Sequence, residues 1–172
     1  MAIDLTLKST AITNREATPR VANNPGSGSA GTVRSVQGYL ASVTAALSIT
    51  SIIRMVEVDA YAIVDALEFQ SAAQTAGKFD IGLYRTNTDG GAVVDADFFA
   101  SVVDCASAVA ITGVLNESTT NSIAKQYLPL WNAAGVSTAP PPGTKYDIAL
   151  TVVTTDVTTG TGAVGIKCRY VI

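Results

Sequence analysis

The chain has 172 residues and a mass of 17.7 kDa, a length that suits one domain with a single core. Only 15% of its residues are charged, where ordinary domains carry about 25%, so we expect a neutral surface suited to broad protein contacts. The net charge of −3 and the eleven scattered Lys and Arg residues argue against nucleic acid as a partner. Because histidine is absent, the commonest general base and zinc ligand are missing, and we predict no enzymatic activity, no cofactor and no metal site.

Two features of the sequence argue against a membrane partner. No apolar run approaches the roughly 20 residues that a spanning helix needs. The first ten residues lack the basic and then apolar order of a signal peptide. We therefore expect a soluble chain that is made in the cytoplasm.

Residues 1–35 contain few core-forming side chains and are predicted to form an extended N-terminal arm. Within them, residues 23–31 are all Asn, Pro, Gly, Ser or Ala. A guanidinium can hold carboxylates or carbonyls of a neighbour through forked hydrogen bonds, so we predict partner-binding residues in or beside the arm. They are Arg15, Arg20 and Arg34, with an ordinary solvated role as the alternative for each. Residues 36–172 are predicted to form a single domain.

Strand patterns begin the predicted domain. Residues 52–69 combine β-branched residues with interspersed charges, which predicts two strands with a bend between them. In residues 78–86, apolar residues such as Phe79 and Ile81 on one face of the predicted strand alternate with residues such as Asp80 on the other face. Residues 87–91 supply a turn after the strand.

Two segments favour short helices. Asp95 can cap a helix, with a continued strand as the alternative. The apolar residues that follow at helical spacing are Phe98, Phe99, Val102 and Val103. A second helix is predicted from Ser122 through Trp131 with Gly135 near its end, although Pro129 opposes it.

The last two strands show the clearest alternation. Residues 146–152 place Tyr, Ile, Leu and Val on one face. Residues 164–172 show the same alternation after the turn at 158–162. We expect one buried face on each strand and an antiparallel hairpin between them. The complete pattern predicts an all-β fold: a β-sandwich or jelly roll of two antiparallel sheets with one or two short helices.

The remaining candidate sites have structural alternatives that fit better. Asp95 with Asp97, or Glu57 with Asp59, supplies the paired carboxylates of a glycosidase, but a cap and solvated strand positions explain them as well. The alternate oxygen-bearing side chains at residues 87–89 and 95–97 superficially match calcium loops, without the closing glutamate. Trp131, Tyr127 and Tyr146 are candidates for a sugar-stacking platform, with core or interface packing as the alternative. Cys105 and Cys168 fit no metal or disulfide spacing and are predicted as buried free thiols.

The segment KFDIGLYRTNTDGGAVVDADFFAS, residues 78–101, resembles a segment of small structural proteins that tailed bacteriophages encode near the capsid gene. The resemblance covers about 24 residues and brings no catalytic signature with it. Relatives of that kind include capsid cement or decoration proteins, several of them jelly rolls, which sit as dimers or trimers over joints between major capsid subunits.

The resemblance implies a non-enzymatic virion protein on the capsid surface, made in the host cytoplasm. Its implied partners are other copies of itself, as a homodimer or homotrimer, and the major capsid protein. The alternative is a carbohydrate- or receptor-binding β-sandwich module of a phage particle, which requires an exposed aromatic cluster or an ion site.

Overall fold

The computed structural model describes residues 18, 32–41, 47–74, 76–116, 118–157 and 162–172. The described residues form eight strands and one short α-helix: β1 (Val33–Leu40), β2 (Ile52–Asp59), β3 (Ile63–Ser71), β4 (Lys78–Arg85), β5 (Val93–Asp104), β6 (Val109–Gly113), α1 (Leu130–Ala133), β7 (Lys145–Val152) and β8 (Val164–Val171). Short 3-10 helices occur at Asn87–Asp89, within the predicted turn, and at Ile123–Lys125. Strand β1 begins inside the segment predicted as an arm.

The strands form two four-stranded antiparallel sheets. Sheet I has the order β1-β8-β3-β6, and sheet II has the order β2-β7-β4-β5. Strands equally far from the two ends pair with each other: β1 with β8, β2 with β7, β3 with β6 and β4 with β5. This is the pairing of one long hairpin ribbon, and rolling the ribbon up places β3 beside β8 and β4 beside β7. The topology is that of a jelly roll, and the predicted all-β sandwich is confirmed.

The positions of β7 and β8 correct one prediction. Both strands are where the sequence placed them, but they do not form a hairpin, because β7 lies in sheet II and β8 in sheet I. Each strand has an apolar face that must be covered, and placing the two in facing sheets buries both faces in one core. Ile148 of β7 and Ile166 of β8 are both essentially inaccessible to solvent. The two strands predicted within residues 52–69 are confirmed as β2 and β3, and they also lie in different sheets.

The helix predicted after Asp95 is wrong, and the alternative of a continued strand is right. Strand β5 has 12 residues against the 8 of its neighbour β4, and its register shifts at three points. Bulges of this kind place consecutive residues on the same side of a strand. Phe98 and Phe99 are therefore both buried, with their rings edge-to-face at a centroid distance of 4.8 Å. The bulges break the period of two, which makes the apolar pattern look helical.

The connection from β6 to β7 closes the sandwich against solvent. Its α1 buries Leu130 and Ala133, and the backbone N–H of Leu130 donates to the carbonyl of Ala62 at 3.0 Å. The single helix predicted from Ser122 to Trp131 is wrong, because Pro129 separates the 3-10 turn from α1.

The core lies between the two sheets. Its largest fully buried side chains come from five strands: Phe69, Phe79, Phe98, Phe99, Leu67, Ile81, Leu83, Ile148, Leu150 and Ile166. Cys105 and Cys168 are buried and free, as predicted. Burial raises the pKa of the Cys105 thiol to about 11 and that of Cys168 to about 12, so both are unreactive at neutral pH.

A second buried layer lies on the outer face of sheet II. We call it the outer polar layer and define it as Arg54, Tyr84, Asp147 and Thr151. Arg54 Nη1 donates to Asp147 Oδ2 and to the carbonyl of Arg85, both at 2.6 Å, and Arg54 Nη2 donates to the carbonyl of Gly91 at 2.9 Å.

The same layer corrects the prediction that β7 has one buried face. The Arg54 guanidinium lies 5.7 Å from the centroid of the Tyr84 ring, and the Tyr84 and Thr151 hydroxyls share a hydrogen bond. Because these side chains cover the outer face, Ala149 and Thr151 are buried as well as the core-facing residues of β7.

Candidate interaction surfaces

The edge strands of sheet I carry large exposed apolar side chains. Tyr39 and Val33 of β1 are 64% and 62% exposed, and Ile111 of β6 is 67% exposed. A sheet edge offers unpaired backbone groups to another chain, and exposed apolar residues beside it add contact area. The sequence-based prediction missed these positions as a surface. The signal that could have found Ile111 is the run of uncharged residues from 105 to 116.

The outer face of sheet I is polar between those edges. Lys167 lies 3.8 Å from Glu68, and Arg169 lies 2.6 Å from Asp65, with all four side chains about half exposed. A groove of about 230 Å³ passes over Gly165, which has no side chain to fill it, and Ile111 forms part of its wall. The face therefore offers balanced charges and a groove lined by both polar and apolar residues, a combination suited to protein contact.

One of the three arginines predicted to bind a partner lies within the described residues. Arg34 is exposed on β1, directly opposite Tyr170 of β8. Arg15 and Arg20 lie outside the described residues. Arg34 therefore lies on the same edge strand as the exposed Tyr39 and Val33.

An open cleft of about 780 Å³ lies at one end of the sandwich. Its charged side chains are paired with one another: Arg85 with Asp89 at 3.1 Å, and Lys145 with Glu57 at 2.5 Å. Residues 136 and 138–144 form its other wall. Because the charges are already neutralised, the cleft offers little fixed charge to a ligand.

The proposed sugar-stacking aromatics do not form one exposed platform. Tyr146 is buried in the core, and Trp131 packs against the core. The Trp131 ring meets the Tyr61 ring edge-to-face, with their centroids 6.3 Å apart. Tyr127 is exposed in the connection from β6 to β7. The alternative of core packing therefore holds for Tyr146 and Trp131.

One predicted carboxylate pair does come together. On β5 the backbone N–H of Asp97 donates to Asp95 Oδ1 at 3.4 Å. Burial raises the pKa of the Asp95 carboxyl above its usual value, and the neighbouring Asp97 carboxyl raises it further. Burial also raises the pKa of Asp80 on β4, against a hydrogen bond from the N–H of Val102. In contrast, Glu57 on the edge strand β2 forms an ion pair with Lys145 at the start of β7.

No metal site is formed by these acids. Among the described residues, no group of three His, Cys, Asp or Glu side chains is placed to hold a metal ion.

We expect Asp97→Asn to stabilise the fold at pH 7, on the order of 0.5 kcal/mol given the partial solvent screening. A raised pKa means that the native state holds the Asp95 proton more tightly than the unfolded state does. Stability is therefore lost as the pH rises from about 4 through the raised pKa of Asp95, and removing the Asp97 charge lessens that loss. Urea unfolding from pH 4 to 7 measures the effect.

Asp104→Asn is the control for that measurement, since Asp104 lies exposed on the same strand and an amide oxygen can still accept the bond from the Ala106 N–H. We expect the control to leave the pH dependence unchanged. Equal pH profiles for wild type and Asp97→Asn would show that the two carboxylates do not repel.

The fold defines the class of protein: an eight-stranded jelly roll of two antiparallel sheets. No family model matches the sequence, and no curated protein matches it significantly. Two solved structures share the fold. A chain of the cyanophage Pam1 capsid asymmetric unit aligns at a TM-score of 0.52 and 14% identity, covering 91% of this chain and 96% of that one. A chain of the capsid of Ralstonia phage GP4 aligns at a TM-score of 0.55 and 12% identity, covering 89% of this chain and 91% of that one.

The alignments span nearly the whole of each chain, so the two matched chains are close to this one in length. At these identities the comparison establishes a shared fold. One further finding concerns membranes: no described helix is long and apolar enough to cross a bilayer.

Proposed function

We propose that the chain is a structural protein of a bacteriophage head, a cement or decoration protein that bridges and stabilises major capsid subunits. The observation that carries the proposal is the end-to-end match of its jelly roll to chains of similar length in two phage capsid structures. The resemblance of residues 78–101 to phage structural proteins supports the same role independently of the fold.

The physical properties of the chain fit a protein that acts by contact. Packaged DNA pushes capsid subunits apart, and a rigid sandwich that bridges them opposes that force with buried surface alone. Every copy on the shell adds an equivalent contact, so individually weak interfaces become collectively strong. The low charge content reduces the cost of removing water from such surfaces.

We further propose two partners: the major capsid protein and other copies of this chain, as a dimer or trimer on the virion surface. Residues 1–31 act as an arm over a neighbouring subunit, where Arg15 and Arg20 hold its carboxylates or carbonyls, and the exposed Arg34 on β1 adds a contact beside the arm. The chain acts as a non-enzymatic protein in this role.

Co-sedimentation with empty phage shells tests the proposal. We expect the full chain to pellet with shells at a saturating, fixed ratio, and a chain that lacks residues 1–31 to bind more weakly. Deleting 1–31 rather than 1–35 keeps β1 complete, including the bond from the Thr32 N–H to the Ile172 carbonyl. Failure of the full chain to bind, together with binding to sugars on a glycan array, would favour the receptor-binding alternative.

A further inference from the structure

Hydrogen bonds hold both walls of the open cleft of about 780 Å³ at one end of the sandwich. One wall is the turn after β4, where the N–H groups of Asp89 and Gly91 both donate to the Thr86 carbonyl at 2.9 Å. The other wall is the connection before β7, where the Tyr61 hydroxyl donates to the Pro140 carbonyl at 2.6 Å. The volume lies within the roughly 300–1,000 Å³ that small-molecule sites occupy, and preformed walls lower the ordering cost of binding.

The lining of the cleft includes a tyrosine hydroxyl that is not used within the fold. Tyr146 is only 3% exposed, yet it forms part of the lining. The Tyr61 and Tyr84 hydroxyls each form a hydrogen bond, whereas the Tyr146 hydroxyl has no hydrogen-bond partner among the described residues. Burial raises the pKa of the Tyr146 hydroxyl, the Arg85 charge opposes that rise and the Asp89 charge adds to it, so the hydroxyl lies near this ion pair and stays protonated at neutral pH. A nearly buried hydroxyl without a protein partner favours a ligand that carries polar groups.

The charged side chains in the lining are two positive and two negative, and they form pairs. Arg85 pairs with Asp89 and Lys145 pairs with Glu57, with all four side chains about half exposed. An ion pair presents N–H donors beside carboxylate acceptors, which matches neighbouring sugar hydroxyls because each of these both donates and accepts. A charged ligand would have to displace one member of a pair. The lining therefore favours an uncharged ligand with several hydroxyls.

The proline wall argues against an extended peptide as the ligand. Pro140, Pro141 and Pro142 have no N–H to donate. The carbonyls of Pro140 and Pro141 already accept hydrogen bonds from the Tyr61 and Thr144 hydroxyls. A peptide that pairs with a backbone needs both N–H and C=O groups there, whereas the proline rings offer C–H surface that suits the C–H face of a sugar ring.

We propose that the cleft binds a neutral saccharide, held by the Tyr146 hydroxyl and the two ion pairs and packed against the proline wall. The site is distinct from a stacking platform, because the ring of Tyr146 belongs to the core and only its hydroxyl serves the ligand. The proposal goes beyond the cement role and does not depend on it. We expect one copy to bind weakly, with a Kd of about 1 mM, and many copies on a shell to hold a glycan-covered surface together.

An array of neutral and sialylated oligosaccharides, probed with beads that carry many copies of the full chain, tests the proposal. We expect retention on at least one neutral oligosaccharide. A chemical-shift titration with the strongest of these should give the same Kd at low salt and in about 0.5 M NaCl, because a neutral ligand brings no charge for salt to screen. Retention on no neutral oligosaccharide, or on sialylated ones alone, would overturn the proposal.

Two pairs of variants locate the site. Thr138→Arg places a long side chain in the lining and should abolish binding, whereas Ser137→Arg adds the same charge at the adjacent exposed residue outside the lining and should bind as wild type does. Tyr146→Phe keeps the ring and should weaken binding about tenfold, because it removes one hydrogen bond. Tyr127→Phe removes an exposed hydroxyl outside the lining and should change nothing. Equal binding within either pair would place the sugar elsewhere and refute the assignment.

Co-sedimentation with shells separates this proposal from the cement role. A full chain that binds a neutral oligosaccharide but no shells would keep the saccharide site and refute the cement role. If the full chain is retained on no neutral oligosaccharide and Thr138→Arg no longer pellets with shells, the cleft is a protein contact. That result would refute the saccharide site and leave the cement role standing.

Discussion

Gly82→Ala should destabilise the chain by about 3 kcal/mol, which for a domain of this size lowers the melting temperature by roughly 10 °C. Gly82 lies on β4, fully buried beneath the bulge of β5. A Cβ at this position would overlap the Asp95 carbonyl oxygen and the Ala96 carbonyl group. Both are backbone atoms, so relief requires moving the bulge and the two phenylalanines that follow it. The single tryptophan, Trp131, packs against the core and reports unfolding in urea.

Gly113→Ala provides the control for the glycine prediction. Gly113 ends β6, and a Cβ there would meet no atom within 4 Å. We expect the control to stay within about 0.5 kcal/mol of wild type. If the two variants unfold at the same urea concentration, then β5 does not press on Gly82 as the structure describes.

The second large effect is expected at Arg54. Arg54→Met should cost about 2–4 kcal/mol, because it leaves the Asp147 carboxylate and the carbonyls of Arg85 and Gly91 without their donor in a partly buried site. The side chains of Arg54 and Asp147 are 22% and 14% exposed, so water compensates only in part. The bonds also connect edge strand β2 to β7 and to the turn after β4. Urea unfolding and amide exchange in β2 measure the loss.

Arg169→Met is the matched control for Arg54. The Arg169 to Asp65 ion pair has the same 2.6 Å separation as the Arg54 to Asp147 pair, but both of its side chains are more than half exposed. Exposed pairs contribute roughly 0–1 kcal/mol, so the control should lose little. Equal losses from the two variants would show that burial of the Arg54 network contributes nothing.

Local pattern predicted the strands better than it predicted their partners. The alternation in residues 146–152 and 164–172 located β7 and β8, because side chains on a strand alternate whatever the strand pairs with. Pairing depends on how the complete ribbon rolls up, and no short window of sequence contains that information. The hairpin prediction was therefore wrong even though both strands were right.

Two other differences between the predicted and the observed structure come from the bulges in β5 and from the outer polar layer. The register shifts in β5 place Phe98 and Phe99 on the same side, which imitates helical spacing. Arg54 is distant in sequence from Tyr84 and Asp147, so nothing local indicates that it covers them. The arginines chosen from the sequence were those near the glycine-rich segment, whereas the hydrogen bonds of Arg54 connect β2 to β7 and to the turn after β4.

The candidate surface follows from the topology as much as from the composition. The sequence shows that residues 105–116 are uncharged, but only the sheet order shows that β6 is an edge. An uncharged run inside a sheet is ordinary, whereas the same run at an edge invites pairing. Conversely, Tyr146 and Trp131 were candidates as aromatic types, and their burial removes them from any exposed platform.

If the chain stabilises a phage head, its presence should change the temperature at which filled heads release their DNA. Heads that lack the protein should release DNA at a lower temperature, and adding back the purified full chain should restore the original temperature at a fixed number of copies per shell. The chain without residues 1–31 should restore it less completely. If heads with and without the bound full chain release DNA at the same temperature, the chain is not a cement protein.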